Sequence, residues 1–141
     1  MYPLSQTADF QTAIGITSAA QTTVNGTAVD MEGFDGVLFI LILGTVTDAA
    51  VITLLAQGSA TSNGASPTQE ATTAALTALS SSAGLMVLDV NRPVNRYVLP
   101  QVTRATQNAG ITNCIAIRYK AKNPPVAVNA AVLAQALGGQ I

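Results

Sequence analysis

Residues Gly84 to Arg104 read GLMVLDVNRPVNRYVLPQVTR. Leu85, Val87 and their apolar neighbours lead to Asp89-Val90-Asn91-Arg92-Pro93, and Tyr97-Val98-Leu99 resumes the apolar run until Pro100. Two short β-prone runs about a Pro-containing break predict two strands around a tight corner. Pro100 has no N–H to give a sheet, so its strand is expected at an edge or with a bulge. Three of the six basic residues, Arg92, Arg96 and Arg104, fall here, with Asp89 beside them. Arg92 and Arg96 flank Pro93 and have two readings. They reach carboxylates on a neighbouring subunit, or they pair with Asp89 inside the chain and pin the corner. Tyr97 reads as a half-buried strand residue with its hydroxyl at the rim.

Working outward, the same signals recur. Residues 1–11, with Pro3 and few apolar side chains, read as an N-terminal arm. A β domain is expected over 12–122. Asn25-Gly26 between β-prone runs predicts a tight hairpin with positive φ at both residues. Val37 to Leu43 is apolar without alternation, which predicts a strand covered on both faces. With Ala50 to Gln57 it reads as a long hairpin. Gly58 to Pro67 is a loop with a turn at Asn63-Gly64. Ser66-Pro67-Thr68-Gln69 resembles a helix start, whereas Thr72, Thr73 and Thr77 favour a strand. Asn108-Ala109-Gly110 turns into a buried strand, Ile111 to Lys120, which Asn123-Pro124-Pro125 ends. The tail 123–141 is rich in Ala, Val and Leu. Asn129 is positioned to cap a short helix ended by Gly138-Gly139, and such a helix must dock on its own domain or on a neighbour. Val132, Leu133 and Leu137 are its candidate interface residues. Seven or eight short strands with frequent turn signals predict an all-β chain: an antiparallel sandwich or barrel, jelly-roll-like, with extended arms.

Composition narrows function. Of 141 residues, 9% are charged and 49% hydrophobic, against a usual charged share of about 25%. Such a surface is covered by neutral polar groups, by other subunits, or by both. The net charge of −1 gives no nucleic-acid-type basic excess. The apolar run Val37–Leu43 falls far short of the ~20 residues of a spanning helix, and the N-terminus carries no signal-peptide pattern. All seven acidic residues precede all six basic ones. If late strands pair with early ones, unlike charges meet across strands; the alternative is two oppositely charged faces that meet between subunits.

Catalytic patterns are missing. Without histidine there is no Ser-His-Asp or Cys-His arrangement and no usual zinc site. Cys114, the single cysteine, lies in an apolar run and reads as a core thiol. Asp30, Glu32 and Asp35 form an acidic cluster without the full oxygen-rich pattern of a calcium loop. The chain is therefore expected to be non-enzymatic, with no cofactor, metal or nucleic acid, and no membrane association.

Asp30-Met31-Glu32-Gly33-Phe34-Asp35-Gly36-Val37-Leu38-Phe39, then Leu85 to Pro93, Arg96-Tyr97-Val98 and Thr103 to Ala109, resemble a small protein common in tailed-phage genomes and encoded near the major capsid protein. The resemblance spans roughly residues 30–122 in order and spacing. It implies a virion structural protein, a head decoration or cement protein on the capsid exterior, made in the host cytoplasm. Such proteins are generally β-rich and often trimeric, with the major capsid protein and their own copies as partners. The Ser/Thr/Ala-rich stretch Gly58–Gly84 departs from the more charged and aromatic middle of similar proteins. The resemblance favours strand over helix for Glu70–Leu79. The alternatives are a tail-tube, neck or connector ring protein, which would use the Val37–Gln57 hairpin, and a small binding module.

Overall fold

In the computed structural model the described residues are 2–78, 84–134 and 136. A single helical turn, α1 (Leu4–Thr7), precedes the strands. These are β1 (Asp9–Ile14), β2 (Thr17–Ala20), β3 (Val24–Asn25), β4 (Val29–Asp30), β5 (Gly36–Val46), β6 (Val51–Ser59), β7 (Thr68–Thr72), β8 (Leu76–Thr77), β9 (Leu85–Asn91), β10 (Tyr97–Ala105) and β11 (Ala109–Tyr119).

They form two antiparallel sheets packed face to face. The first runs β1-β11-β5-β9, with β2 also on β11; the second runs β3-β10-β6-β7, with β4 on β10 and β8 on β6. Taking β1/β2, β3/β4 and β7/β8 as broken single strands, each sheet has four positions and the strand order is that of a jelly roll. The sheets are not closed, so the fold is a sandwich and not a barrel. Phe39, Leu41 and Cys114 from one sheet meet Ile52, Leu54, Val98 and Val102 from the other, all fully buried.

The Gly84–Arg104 stretch makes its corner between sheets. β9 belongs to the first and β10 to the second, and each alternates strictly between buried and open positions. The same crossing overturns the expected Val37–Gln57 hairpin. β5 pairs with β11 and β9, whereas β6 pairs with β10, β7 and β8. Apolar sequence shows that both strands have a buried face, but not which sheet each joins. β5 is central in its sheet, but the expected cover on both faces is not found: Val37, Phe39, Leu41 and Leu43 are buried, whereas Leu38, Ile40 and Ile42 on the outer face are only partly so.

Pro100 lies inside the second sheet and not at its edge. β10 is flanked by β6 along its length and by β3 and β4 on the other side. The missing N–H is tolerated because it faces the gap between β3 and β4, where the Gly26 N–H donates to the Pro100 carbonyl at 2.7 Å. A Cβ on Gly26 would come within 2.5 Å of the Pro100 ring. The glycine is thus used for close approach. Asn25-Gly26 does not close a hairpin, and neither residue has positive φ.

The stretch left open between helix and strand forms β7 (Thr68–Thr72) and β8 (Leu76–Thr77), the strand reading that the resemblance favoured. Two further expectations change. Asp9-Phe10-Gln11, read as arm, form the start of β1 on β11. The bend into β11 lies at Thr106, with φ +68°, ahead of Asn108-Ala109-Gly110. In the tail no helix occurs among the described residues. Asn129 instead caps a turn, its side-chain oxygen accepting from the Ala131 N–H at 2.9 Å. The proposed stop at Gly138-Gly139 lies outside the described residues.

Candidate functional site

The corner, the β4–β5 loop and the segment after β11 meet at one end of the sandwich. They surround an open cleft of about 640 Å³ lined by Glu32, Asp35, Arg92, Pro93, Arg96 and Lys122, among others. The sequence-predicted residues Arg92, Pro93 and Arg96 do come together here. The expected pairing with Asp89 does not form. Arg96 donates through Nε and Nη2 to the two oxygens of Asp30, at 2.9 and 2.8 Å, and also reaches Glu32. Register explains the choice, because Tyr97, next to Arg96, lies opposite Asp30 across β10 and β4. The Arg96 guanidinium holds the Asp30 carboxyl below the usual carboxylate range. Both side chains are well exposed, so the pair fixes geometry more than it adds stability. Arg96 also lies 5.2 Å from the centre of the half-buried Tyr97 ring.

Glu70 on β7 pins the corner itself. Its carboxylate accepts from the backbone N–H of Val94 and Asn95, both at 3.1 Å, and from the Asn95 amide at 2.8 Å. Arg92 opens the corner at φ +54°, its N–H donating to the Asp35 carbonyl at 2.8 Å. Its exposed side chain has no carboxylate partner among the described residues.

Asp89 takes another partner. The Tyr119 hydroxyl donates to it at 2.5 Å, and the Tyr119 ring lies over Gly36, where a Cβ would fall 2.2 Å from the ring. Burial, the hydrogen bond and the nearby carboxylate push the Tyr119 phenol up to about 12. From pH about 10, where an unfolded tyrosine ionises, the folded chain keeps this proton and the unfolded chain does not, so stability falls as pH rises towards 12. An alkaline titration followed by phenolate absorbance is expected to show a late step that disappears in Tyr119→Phe. Persistence of that step in the variant would refute the assignment.

Two arginines plug opposite ends of the core. Arg104 is 4% exposed and points between the sheets. It donates to the carbonyls of Thr22 (2.9 Å), Ser18 (2.8 Å) and Ala109 (2.6 Å) and to Thr22 Oγ1 (2.8 Å). Burial without a carboxylate lowers its pKa. At the corner end, Arg118 donates through Nε and Nη2 to Asp9 Oδ2, at 3.0 and 2.6 Å, and through Nη1 to the Asp30 carbonyl at 2.6 Å, beneath the Phe34 ring. Asp9, Glu70, Arg118 and Tyr119 were not among the sequence candidates. For Asp9 and Arg118 the signal was the order of acids before bases: Asp9 sits directly opposite Arg118 across β1 and β11. These unlike charges meet within the chain.

The outer faces of the two sheets differ in degree, the second mixing Val51, Leu55, Tyr97 and Leu99 with its amides. On the β1-β11-β5-β9 sheet, register places Phe10, Ile117, Leu38 and Asp89 in one outward row. Thr12, Ile115, Ile40 and Val87 form the next, and Asn113, Ile42 and Leu85 a third. On the other sheet, Gln57, Gln101 and Asn25 form an amide ladder, Gln57 donating to Gln101 at 3.3 Å and Gln101 to Asn25 at 2.7 Å. Of the tail residues, Val132 is partly buried in a groove of about 510 Å³ beside Phe10 and Ile115. Leu133 is 97% exposed, and Leu137 lies outside the described residues.

The Cys114 thiol is buried and its pKa is pushed up to about 12, which makes it inert. Among the described residues no three His, Cys, Asp or Glu side chains converge as a metal site would require, and no helix is long and apolar enough to cross a membrane. Comparison with protein-family models, curated proteins and solved structures found no match.

Proposed function

We propose that this chain is a virion structural protein that binds and stabilises the exterior of a tailed-phage capsid. The observation that best supports this reading is the division of the surface. A protein that works by being buried in an assembly can leave one sheet face apolar and still present a neutral, hydrogen-bonded face to water. The resemblance over residues 30–122 supplies the kind of assembly: a decoration protein whose partners are the major capsid protein and its own copies, as a trimer. Its mechanism is linkage. A protein that binds the assembled shell and not the dissociated subunits stabilises the shell by mass action. The tail-ring alternative relied on a Val37–Gln57 hairpin, and the separation of β5 and β6 into different sheets removes that support. For a small binding module the cleft at the corner is open, and the carboxylates that line it already face cations of the same chain.

Mixing the purified protein with expanded shells and measuring the bound fraction tests the reading. Saturable binding that raises shell stability is expected, and its absence overturns it. Truncation after Asn129 keeps the Val126 N–H bond to Gln6 and the Asn129 contact with Asp9. That variant is expected to fold and to dock at least ~10-fold more weakly, the loss of about one well-buried apolar side chain. Unchanged docking would remove the tail from the contact.

A further inference from the structure

We infer that the amide-lined pocket on the outer face of the β3-β10-β6-β7 sheet is a binding site for a neutral sugar, taking one pyranose ring. This goes beyond the proposed function, and it holds or fails without any shell.

The pocket has a volume of about 250 Å³. Its polar lining is Asn25, Gln57, Asn63 and Gln101, and Pro67, Leu99 and Pro100 give it an apolar wall. Two loops are shaped around it. Gly26 lets the β3–β4 loop close on the Pro100 ring. Gly64, at φ +72°, lets the β6–β7 loop lie on Leu99, where a Cβ would fall 2.5 Å from a methyl carbon. The second loop is also braced from within. Ser59 Oγ donates to the Ala65 carbonyl at 2.6 Å, and the Asn63 side-chain oxygen accepts from Thr61 Oγ1 at 2.7 Å and from the Ala65 N–H at 3.1 Å. The walls are thus set before a ligand arrives, which spares part of the ordering cost of binding.

The polar groups are held in order with capacity to spare. Gln57 donates to Gln101, and Gln101 to Asn25. Three amides bonded head to tail leave a free acceptor at one end, here Gln57 Oε1, and a free donor at the other, the Asn25 NH2. Asn63, whose oxygen is already taken, adds a second free NH2. No charged side chain is among the described lining residues. This array fits a ligand that is uncharged, both donates and accepts, and has an apolar edge. A pyranose meets all three conditions, because each hydroxyl donates and accepts and the ring C–H groups form an apolar patch. An ion would lose water here and find no counter-charge, and a wholly apolar ligand would cover amides without bonding them. The volume lies just under the ~300 Å³ at which drug-sized sites begin, so one ring fits and a larger ligand does not.

The test is a titration of the nitrogen-labelled protein with glucose, galactose and N-acetylglucosamine, followed by NMR through the side-chain NH2 signals. At least one sugar is expected to shift the Asn25, Asn63 and Gln101 signals, with a dissociation constant of about 1–10 mM, ordinary for a ligand of about a dozen non-hydrogen atoms. Gln101→Leu, on the open side of β10, removes the middle of the ladder and is expected to weaken binding at least ~10-fold. Asn25→Ala changes an exposed side chain and is expected to act in the same direction. Gln107→Ala, an exposed amide outside the pocket, is expected to bind as the wild type does. Glucuronate adds a carboxylate to the same ring and is expected to bind no more tightly than glucose. The absence of any shift with all three sugars overturns the inference, as does unchanged binding by the Gln101 variant. Tighter binding of glucuronate overturns the neutral class of ligand.

Discussion

Arg104→Met is expected to lower the unfolding free energy by about 3 kcal/mol and the melting temperature by roughly 10 °C. The guanidinium engages the carbonyls of Ser18, Thr22 and Ala109, joining the β2–β3 segment to the point where β10 turns into β11. Methionine fills similar space but supplies no donor. Each carbonyl left buried and unbonded costs about 1–3 kcal/mol. Relief from burying a cation without a counter-ion offsets part of that sum. Arg104→Lys keeps the charge, but one ammonium cannot reproduce a planar fork reaching three carbonyls, so a loss of similar size is expected. Chemical denaturation of the three proteins checks this. A lysine variant as stable as wild type would mean that the charge matters and the fork does not.

The second large effect lies at the opposite end. Asp9→Ala removes the only carboxylate paired with Arg118 among the described residues, at a position 3% exposed, and strands a cation under Phe34. Removing one partner of a buried pair costs about 3–5 kcal/mol, whereas replacing both with apolar residues of similar volume is often neutral. Asp9→Leu/Arg118→Met is therefore expected to be more stable than Asp9→Ala alone. The residual cost comes from the Asp30 carbonyl, which loses its donor in the double variant. Equal instability of single and double variants would mean that the salt bridge itself, and not the stranded charge, sets the cost.

Much of the fold could be read from local pattern. The strict alternation of β9 and β10, the corner between them and the two-faced apolar run of β5 are properties of a few neighbouring residues. Sheet membership is not. Val37–Leu43 followed by Ala50–Gln57 looks like a hairpin because proximity in sequence is all that a short window offers. The intervening Thr47–Ala50 segment instead carries the chain across the core. Asn25-Gly26 misled for a related reason: its glycine serves the approach of Pro100, a residue more than seventy positions away. At the candidate site, Arg92, Pro93 and Arg96 were recognisable because charge is so scarce here. Their partners were not, because register across β4 and β10 selects Asp30 over the nearer Asp89. Glu70, which holds the corner in place, had no local mark at all.

The position of β11 has a consequence for synthesis. This strand lies between β1 and β5, and it is the last strand of the described chain. A ribosome that has released only the first hundred residues has therefore made both flanks of a sheet without its middle. Apart from β6–β7, strands adjacent in sequence do not pair, and β9, β10 and β11 alternate between the two layers, so local hairpins cannot accumulate stepwise. Folding must wait for contacts between distant parts of the chain, which places it among the slow, millisecond-to-second topologies. The apolar outer face does not exist as a surface until residues around 119 have emerged.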